Sequence, residues 1–155
     1  MAATITMVTS GKGGTGKSTV AVHLAGQLAK LGRQTLLVEL DSGLRSVDII
    51  SGVYGRTVYD IEDVLSGACE GSRAVVKSPL SDRLSVISAP VSGGAVETAS
   101  LQLFCEKMQP FFDEIVIDTA AGLEAPFRAA AAVCHRAVLV ITPDPVAVRD
   151  GRVVS

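Results

Sequence analysis

The run Ser10-Gly11-Lys12-Gly13-Gly14-Thr15-Gly16-Lys17-Ser18-Thr19 limits what this chain can fold into more than any other stretch. From Gly11 to Ser18 it satisfies the P-loop pattern G-x-x-x-x-G-K-[ST]. Ile5, Met7 and Val8, of strand character, precede it, and a helical pattern opens after it. In that context the glycines let backbone N–H groups turn inward around phosphate oxygens. A helix starting near Gly16 aims its positive dipole end at the same anion. Gly11, Lys12, Gly13, Gly14, Thr15, Gly16, Lys17, Ser18 and Thr19 are thereby assigned to nucleotide binding. Lys17 reaches the β- and γ-phosphates, and the Ser18 hydroxyl ligates Mg²⁺. An ordinary P-loop does not need a cation at Lys12. That charge can stabilise the transferring phosphoryl group, within its own chain or across a dimer as an arginine finger does.

Such a loop needs carboxylates to hold magnesium and place water. The apolar run Leu36-Leu37-Val38 ends in Glu39-Leu40-Asp41, and Ile115-Val116-Ile117 ends in Asp118-Thr119-Ala120-Ala121-Gly122. Both carboxylates fall at the C-terminal ends of strands, where open α/β sheets bind ligands. Asp118 is the natural Walker B residue, holding Mg²⁺ directly or through water. Asp41 orients the attacking water or helps secure the ion, and Gly122 lets its loop move as the γ-phosphate comes and goes. The catalytic set is therefore Lys12, Lys17 and Asp41, and the metal set is Ser18, Asp41 and Asp118.

Apolar runs alternate with helical patterns, which is the βαβ signature of a parallel sheet covered on both faces. Strands are expected at about 4–9, 35–40, 84–88, 114–118 and 137–142. Val20, Leu24, Leu28 and Leu31 suggest the core stripe of a helix over 17–31, stopped by Gly32. Val58, Ile61 and Leu65 mark a helix over 59–66 that ends at Gly67, and Leu101, Phe104, Met108 and Phe111 mark another stripe. A helix over 123–134 carries Pro126 near its start, and a last one begins near Val146. Loops are expected at Ser78-Pro79, Ser92-Gly93-Gly94 and Thr142-Pro143-Asp144-Pro145.

At 155 residues the chain reads as one domain, 1–155. With 48% hydrophobic and 19% charged residues it is a buried-strand globular sequence. No stretch approaches the ~18 apolar residues of a membrane span, and no signal-peptide pattern opens the sequence, so a cytoplasmic location is expected. The net charge of −2 argues against a strongly nucleic-acid-binding surface. Arg128, Arg136, Arg149 and Arg152 form the nearest thing to a basic cluster and read as a solvated face. Cys69, Cys105 and Cys134 lack any C-x-x-C spacing and read as small buried hydrophobes; His23 and His135 read as structural.

Lys12 to Ser18 matches K-G-G-x-G-K-[ST] residue for residue, and on that motif the chain resembles the deviant Walker A ATPases, the MinD/ParA/Mrp group. Asp41-Ser42-Gly43-Leu44-Arg45-Ser46-Val47-Asp48 is similar to the switch I pattern of its MinD branch. Val58-Tyr59-Asp60-Ile61-Glu62-Asp63-Val64-Leu65-Ser66-Gly67, Asp118-Thr119-Ala120-Ala121-Gly122 and Val148-Arg149-Asp150 are similar to further MinD segments. The sequence departs at Glu39, where many relatives have Asp, and at Ala120, where switch II usually has proline. The resemblance implies a three-layer α/β fold of which this chain is the N-terminal part, truncated or unusually short. It further implies ATP and Mg²⁺, hydrolysis to ADP and phosphate, and an ATP-bound homodimer in which Lys12 reaches the partner subunit's nucleotide. A role in division-site placement, an activator protein and peripheral attachment to the inner membrane surface are implied as well. Arg45 and Asp48 are read either as contacts to a partner or as the polar surface of a short helix. Three functions stand open: a MinD-type ATPase switch, a ParA-type, flagellar-number or metal-cluster carrier ATPase, and a non-catalytic nucleotide-binding or interaction fragment.

Overall fold

In the computed structural model, which describes residues 2–93 and 96–154, the elements follow in strict βα alternation at both ends. They are β1 (Thr4–Thr9), α1 (Lys17–Lys30), β2 (Thr35–Glu39), α2 (Ser46–Ser51), α3 (Ile61–Leu65), α4 (Gly71–Ala74) and β3 (Val76–Lys77). Then come β4 (Leu84–Ile87), α5 (Thr98–Met108), β5 (Glu114–Asp118), α6 (Ala125–Val133), β6 (Arg136–Leu139) and α7 (Pro145–Val154). Gly94 of the expected Ser92-Gly93-Gly94 loop and Ser155 lie outside the described residues.

The strands form one sheet in the order β3-β4-β2-β5-β1-β6. Five run parallel, and β3 pairs antiparallel with β4 at one edge, so the sheet is mixed rather than wholly parallel. Two residues is too short a strand to leave a period-2 signal, which is why β3 is invisible in the sequence. Side-chain alternation then builds two cores. Leu36, Val38, Ile115 and Ile117 face Leu101, Phe104, Cys105, Ala129 and Ala130 of α5 and α6. Leu37, Val86 and Val116 face Ala21, Val22, Ala25 and Ala29 of α1. Helices thus cover both faces, and the three layers expected from the sequence are present.

Several expected stripes shift. The buried face of α1 is Ala21, Val22, Ala25 and Ala29, with Leu24 and Leu28 at its margin, and Leu31 is 79% exposed beyond the helix end. Small residues let α1 lie close on the sheet, and the leucines flank that contact. Asp60 starts α3 with a capping box, accepting from Glu62 and Asp63 N–H while the Asp63 carboxylate accepts from Asp60 N–H. That leaves Val58 outside the helix and 83% exposed. Phe111 follows the end of α5 and is 70% exposed, so Leu101, Phe104 and Met108 serve the core with Cys105 in its place. Strand β6 stops at Leu139, short of the expected 142, as the chain turns towards Asp144. Among the described residues no helix is long and apolar enough to cross a membrane.

Because Leu36 of β2 is fully buried in the core it shares with α5 and α6, Leu36→Ala should lower the unfolding free energy by about 2–5 kcal/mol in urea titrations. Leu31→Ala should change it by less than about 0.5 kcal/mol.

Candidate functional site

The C-terminal ends of β1, β2, β4, β5 and β6 open onto one edge of the sheet. There β1 leads into the glycine loop. Gly14 (φ 75°) and Gly16 (φ 85°) take left-handed backbone conformations that a side chain would strain, and Gly13 has open space around its Cα. Gly16 caps α1, no side chain bonds its first N–H groups, and no acid lies in its first turn. The positive end of α1 is therefore left to an anion. The Thr15 hydroxyl is buried without a hydrogen-bond partner, a further polar group facing inward in the same loop. Thr19 sits exposed on α1, its carbonyl hydrogen-bonded to the His23 ring.

Beneath the loop lies the charged centre. Lys17 is buried, and its Nζ donates to Asp118 Oδ1 at 2.6 Å and to Asp41 Oδ2 at 3.4 Å. Ser18 Oγ donates to Asp118 Oδ2 at 2.6 Å. Asp118 is fully buried; burial pushes its carboxyl upwards, while the Lys17 charge and the bonds from Lys17 and Ser18 pull it back. Lys17, Ser18, Asp41 and Asp118 thus meet as the sequence requires. Lys12 does not join them: its Nζ lies 3.4 Å from Asp144 Oδ2.

The loops around this centre are tied down. Gly122 takes φ 90°, and its N–H donates to Ser10 O at 3.1 Å, joining the loop after β5 to the glycine loop. Thr119 is buried and donates both N–H and O–H to Val8 O. Glu39 is buried beside the centre, its oxygens accepting from Val47 N–H (3.2 Å) and Ala89 N–H (3.3 Å). Asp48 is buried as well, paired with Arg45 at 2.8 Å and bonded by the Ser88 hydroxyl. Neither reading of Arg45 and Asp48 as surface or partner-facing groups therefore holds for Asp48: the pair knits α2 to the end of β4. Arg45 itself adopts φ 49° and donates to Thr57 Oγ1 at 2.5 Å.

Ser10, Glu39, Asp144 and Asp150 were not singled out as site residues by the motif. Asp144 carried a signal, since Asp before Pro145 and an apolar run is an N-cap pattern. Its Oδ1 accepts from Ala147 N–H at 2.9 Å. Among the other expectations, His135 is structural, its Nδ1 accepting from Ile5 N–H at 2.9 Å. Cys105 is a buried hydrophobe with its thiol pushed up to about 12 by burial, whereas Cys69 and Cys134 are only half-buried.

A magnesium ion suits this donor set. Among the described residues no group of three or more His, Cys, Asp or Glu side chains gathers to hold a metal. One buried carboxylate and a serine hydroxyl are what a Mg²⁺ ion needs when phosphates and water supply its other oxygens.

Strand, loop and helix here converge backbone donors and a lysine on one anion position, which defines the class of P-loop nucleotide-binding domains. Residues 6–142 match the CobQ/CobB/MinD/ParA nucleotide binding domain, and the chain belongs to that family. It is 40% identical over 148 residues to the septum site-determining protein MinD of Synechocystis, covering 94% of this chain and 56% of that protein. The MinD of an Aquifex aeolicus MinC:MinD complex superposes with a TM-score of 0.88 at 34% identity, over 98% of this chain and 62% of that one. A Pyrococcus horikoshii MinD complexed with Mg-ADP gives 0.81 at 26% identity, over 97% of this chain and 62% of that one. The chain spans little more than half the length of the curated relatives it matches.

Two measurements follow from this geometry. Lys17→Met leaves the Asp118 charge buried without its partner, so the unfolding free energy from urea titrations at pH 7 should fall by roughly 3–5 kcal/mol. The loss should shrink towards pH 4, as protonation relieves Asp118. Glu39 is raised from 4.5 to about 7, chiefly by burial. The unfolded chain ionises first, so this group's contribution is fullest below 4.5 and is lost as pH rises to about 7, on the order of 3 kcal/mol. In Glu39→Gln that pH-dependent fall should be absent from a series of unfolding curves.

Proposed function

We propose that residues 1–155 form a Mg·ATP-binding ATPase domain that works as a MinD-type dimerisation switch. The observation carrying this reading is the Lys17–Asp118–Ser18 cluster, bonded at 2.6 Å on each side directly beneath an uncapped helix start. An incoming triphosphate meets the N–H groups of Gly13 to Ser18 and the α1 dipole. Lys17 then exchanges Asp118 for the β- and γ-phosphates, which frees the Asp118 carboxylate. Ser18 and Asp118 would hold Mg²⁺, with Asp41 in reach of the same position. Bound magnesium supplies neutralisation of charge on the phosphates. Asp41, the exposed member of the set, is placed to orient the attacking water.

Lys12 acts at the phosphates of a partner subunit when two copies close across their nucleotides, and hydrolysis opens the pair. Division-site placement, a protein partner of the MinC kind, an activator and peripheral membrane attachment are the roles we infer from the likeness to MinD. The segments Asp41 to Asp48, Val58 to Gly67, Asp118 to Gly122 and Val148 to Asp150 together favour that branch over the partition and carrier ATPases.

Light scattering with Mg·ATP and with Mg·ADP tests the switch. The expected result is a doubled mass with ATP only, lost in Lys12→Ala, together with phosphate release that Lys17→Ala abolishes. A monomer under both nucleotides would refute dimerisation by this chain, and unchanged turnover in Lys17→Ala would refute the assigned site.

A further inference from the structure

Both backbone groups of Ile5 are taken by one residue. His135 N–H donates to Ile5 O at 2.8 Å, and Ile5 N–H donates to the His135 ring at Nδ1, 2.9 Å. The ladder between β1 and β6 begins one residue later, with Thr6 opposite Arg136. A longer parallel strand would offer Ile5 N–H a backbone carbonyl. Here α6 ends at Val133 with Cys134 as its cap, so the chain reaches β6 too late to do so, and the imidazole stands in. Ile5 is buried, and a buried N–H needs a partner.

That bond fixes the state of the ring. Nδ1 accepts only while it carries no hydrogen, so the bonded ring is the neutral tautomer with its proton on Nε2. A second proton has to go to Nδ1, and it ends the bond. Histidine is the side chain whose charge ordinarily changes between about pH 5 and 8. His135 is exposed, so its ring can turn out into water to take that proton. Turned out, it stands just past the C-terminal end of α6, whose last turn has no basic residue and whose dipole favours a cation. No residue of β1 is charged, and α6 carries only Arg128, bonded to Leu123 O, with Glu124 at its N-cap. Arg136 follows the ring on β6, and Lys30 ends α1. At the start of β5, Asp113 bonds Gln34 N–H and Glu114 bonds Arg33. These acids are committed elsewhere, so none holds a charged ring against Ile5.

We propose that His135 is a pH-sensitive catch: its neutral ring fastens the start of β6 to β1, and protonation releases it. The catch stands apart from the nucleotide reading above. Its contribution is present while the ring is neutral and is lost as the pH falls through the histidine range. Among the described residues β6 pairs with β1 alone, and it is four residues long, so a single bond is a large part of its hold. Beyond the far end of β6 the same chain seats α7 on the glycine loop, where a Cβ on Gly11 would come within 2.6 Å of the Asp150 carbonyl carbon. Acid thus loosens the edge of the sheet that leads to α7 and leaves the pairing of β2, β5 and β1 in place.

Asparagine separates the catch from a plain structural bond, because its side-chain oxygen can take the place of Nδ1 and accepts at every pH. Amide hydrogen exchange of the 155-residue chain, read by NMR from pH 8 to pH 5 and corrected for intrinsic rates, compares Ile5 in wild type, His135→Asn and His135→Leu. Wild-type protection at Ile5, taken relative to His135→Asn at the same pH, should fall about two- to twelve-fold on acidification, the worth of one hydrogen bond. The Val116 amide, in the centre of the sheet, should show no such difference between the two proteins. In His135→Leu the Ile5 amide should be poorly protected at both ends of the range. Nitrogen-15 shifts of the ring should place its proton on Nε2 at pH 8. A proton found on Nδ1 at pH 8 would overturn the proposal. So would an Ile5 amide whose protection changes with pH equally in wild type and His135→Asn. That contrast decides the matter even where His135→Leu fails to fold.

Discussion

Everything at the working edge of this sheet depends on one buried ion pair, Lys17 with Asp118. Neither partner tolerates its position alone. Asp118 ends the central strand β5 with no exposure, and Lys17 opens α1 with almost none. Taking both charges out of water costs more than their attraction returns unless hydrogen bonds complete them, and here Ser18 and Asp41 do so. The pair is thus a poor source of stability and a good source of position. It registers the start of α1 against the ends of β5 and β2, and it keeps a lysine and a carboxylate poised where either can exchange its partner for an anion or a cation.

The second acidic layer has a different task. Glu39 and Asp48 are buried beside that centre, yet their oxygens are spent on Val47, Ala89, Arg45 and Ser88. They anchor the start of α2 and the end of β4, and so fix the loop that carries Asp41. A carboxyl as high as about 7 is the cost of that arrangement at Glu39, since two N–H donors do not offset its burial. An aspartate there would be one methylene shorter. Reaching both N–H groups from β2 requires the longer side chain in this chain, which gives a physical reason for the departure from the usual residue.

Much of this was legible beforehand, for identifiable reasons. The glycine loop, the strand ends at Asp41 and Asp118 and the two-sided sheet follow from backbone freedom, apolar runs and the βα alternation, all of which are local. The α1 core face was not, because leucine spacing is a weaker guide than the close approach that alanines permit on a flat sheet. Helix α2 is a single turn and a half, begun by Arg45 in a left-handed conformation that no local propensity favours. The burial of Glu39 and Asp48 is set by contacts up to fifty residues away in sequence, and the partner of Lys12 lies 132 residues along the chain.

That last distance explains how two lysines five residues apart in one loop acquire different behaviour. Lys17 lies within α1, and its ammonium is shielded by protein on nearly every side, so its bond to Asp118 is broken only by something that replaces both charges at once. Lys12 is only partly buried, and its partner Asp144 stands just before α7. A contact of that kind, exposed to water on both sides, is weak and exchanges readily. The buried lysine is therefore held in a fixed position by protein on nearly every side, whereas the exposed one is held by a single ion pair that water weakens.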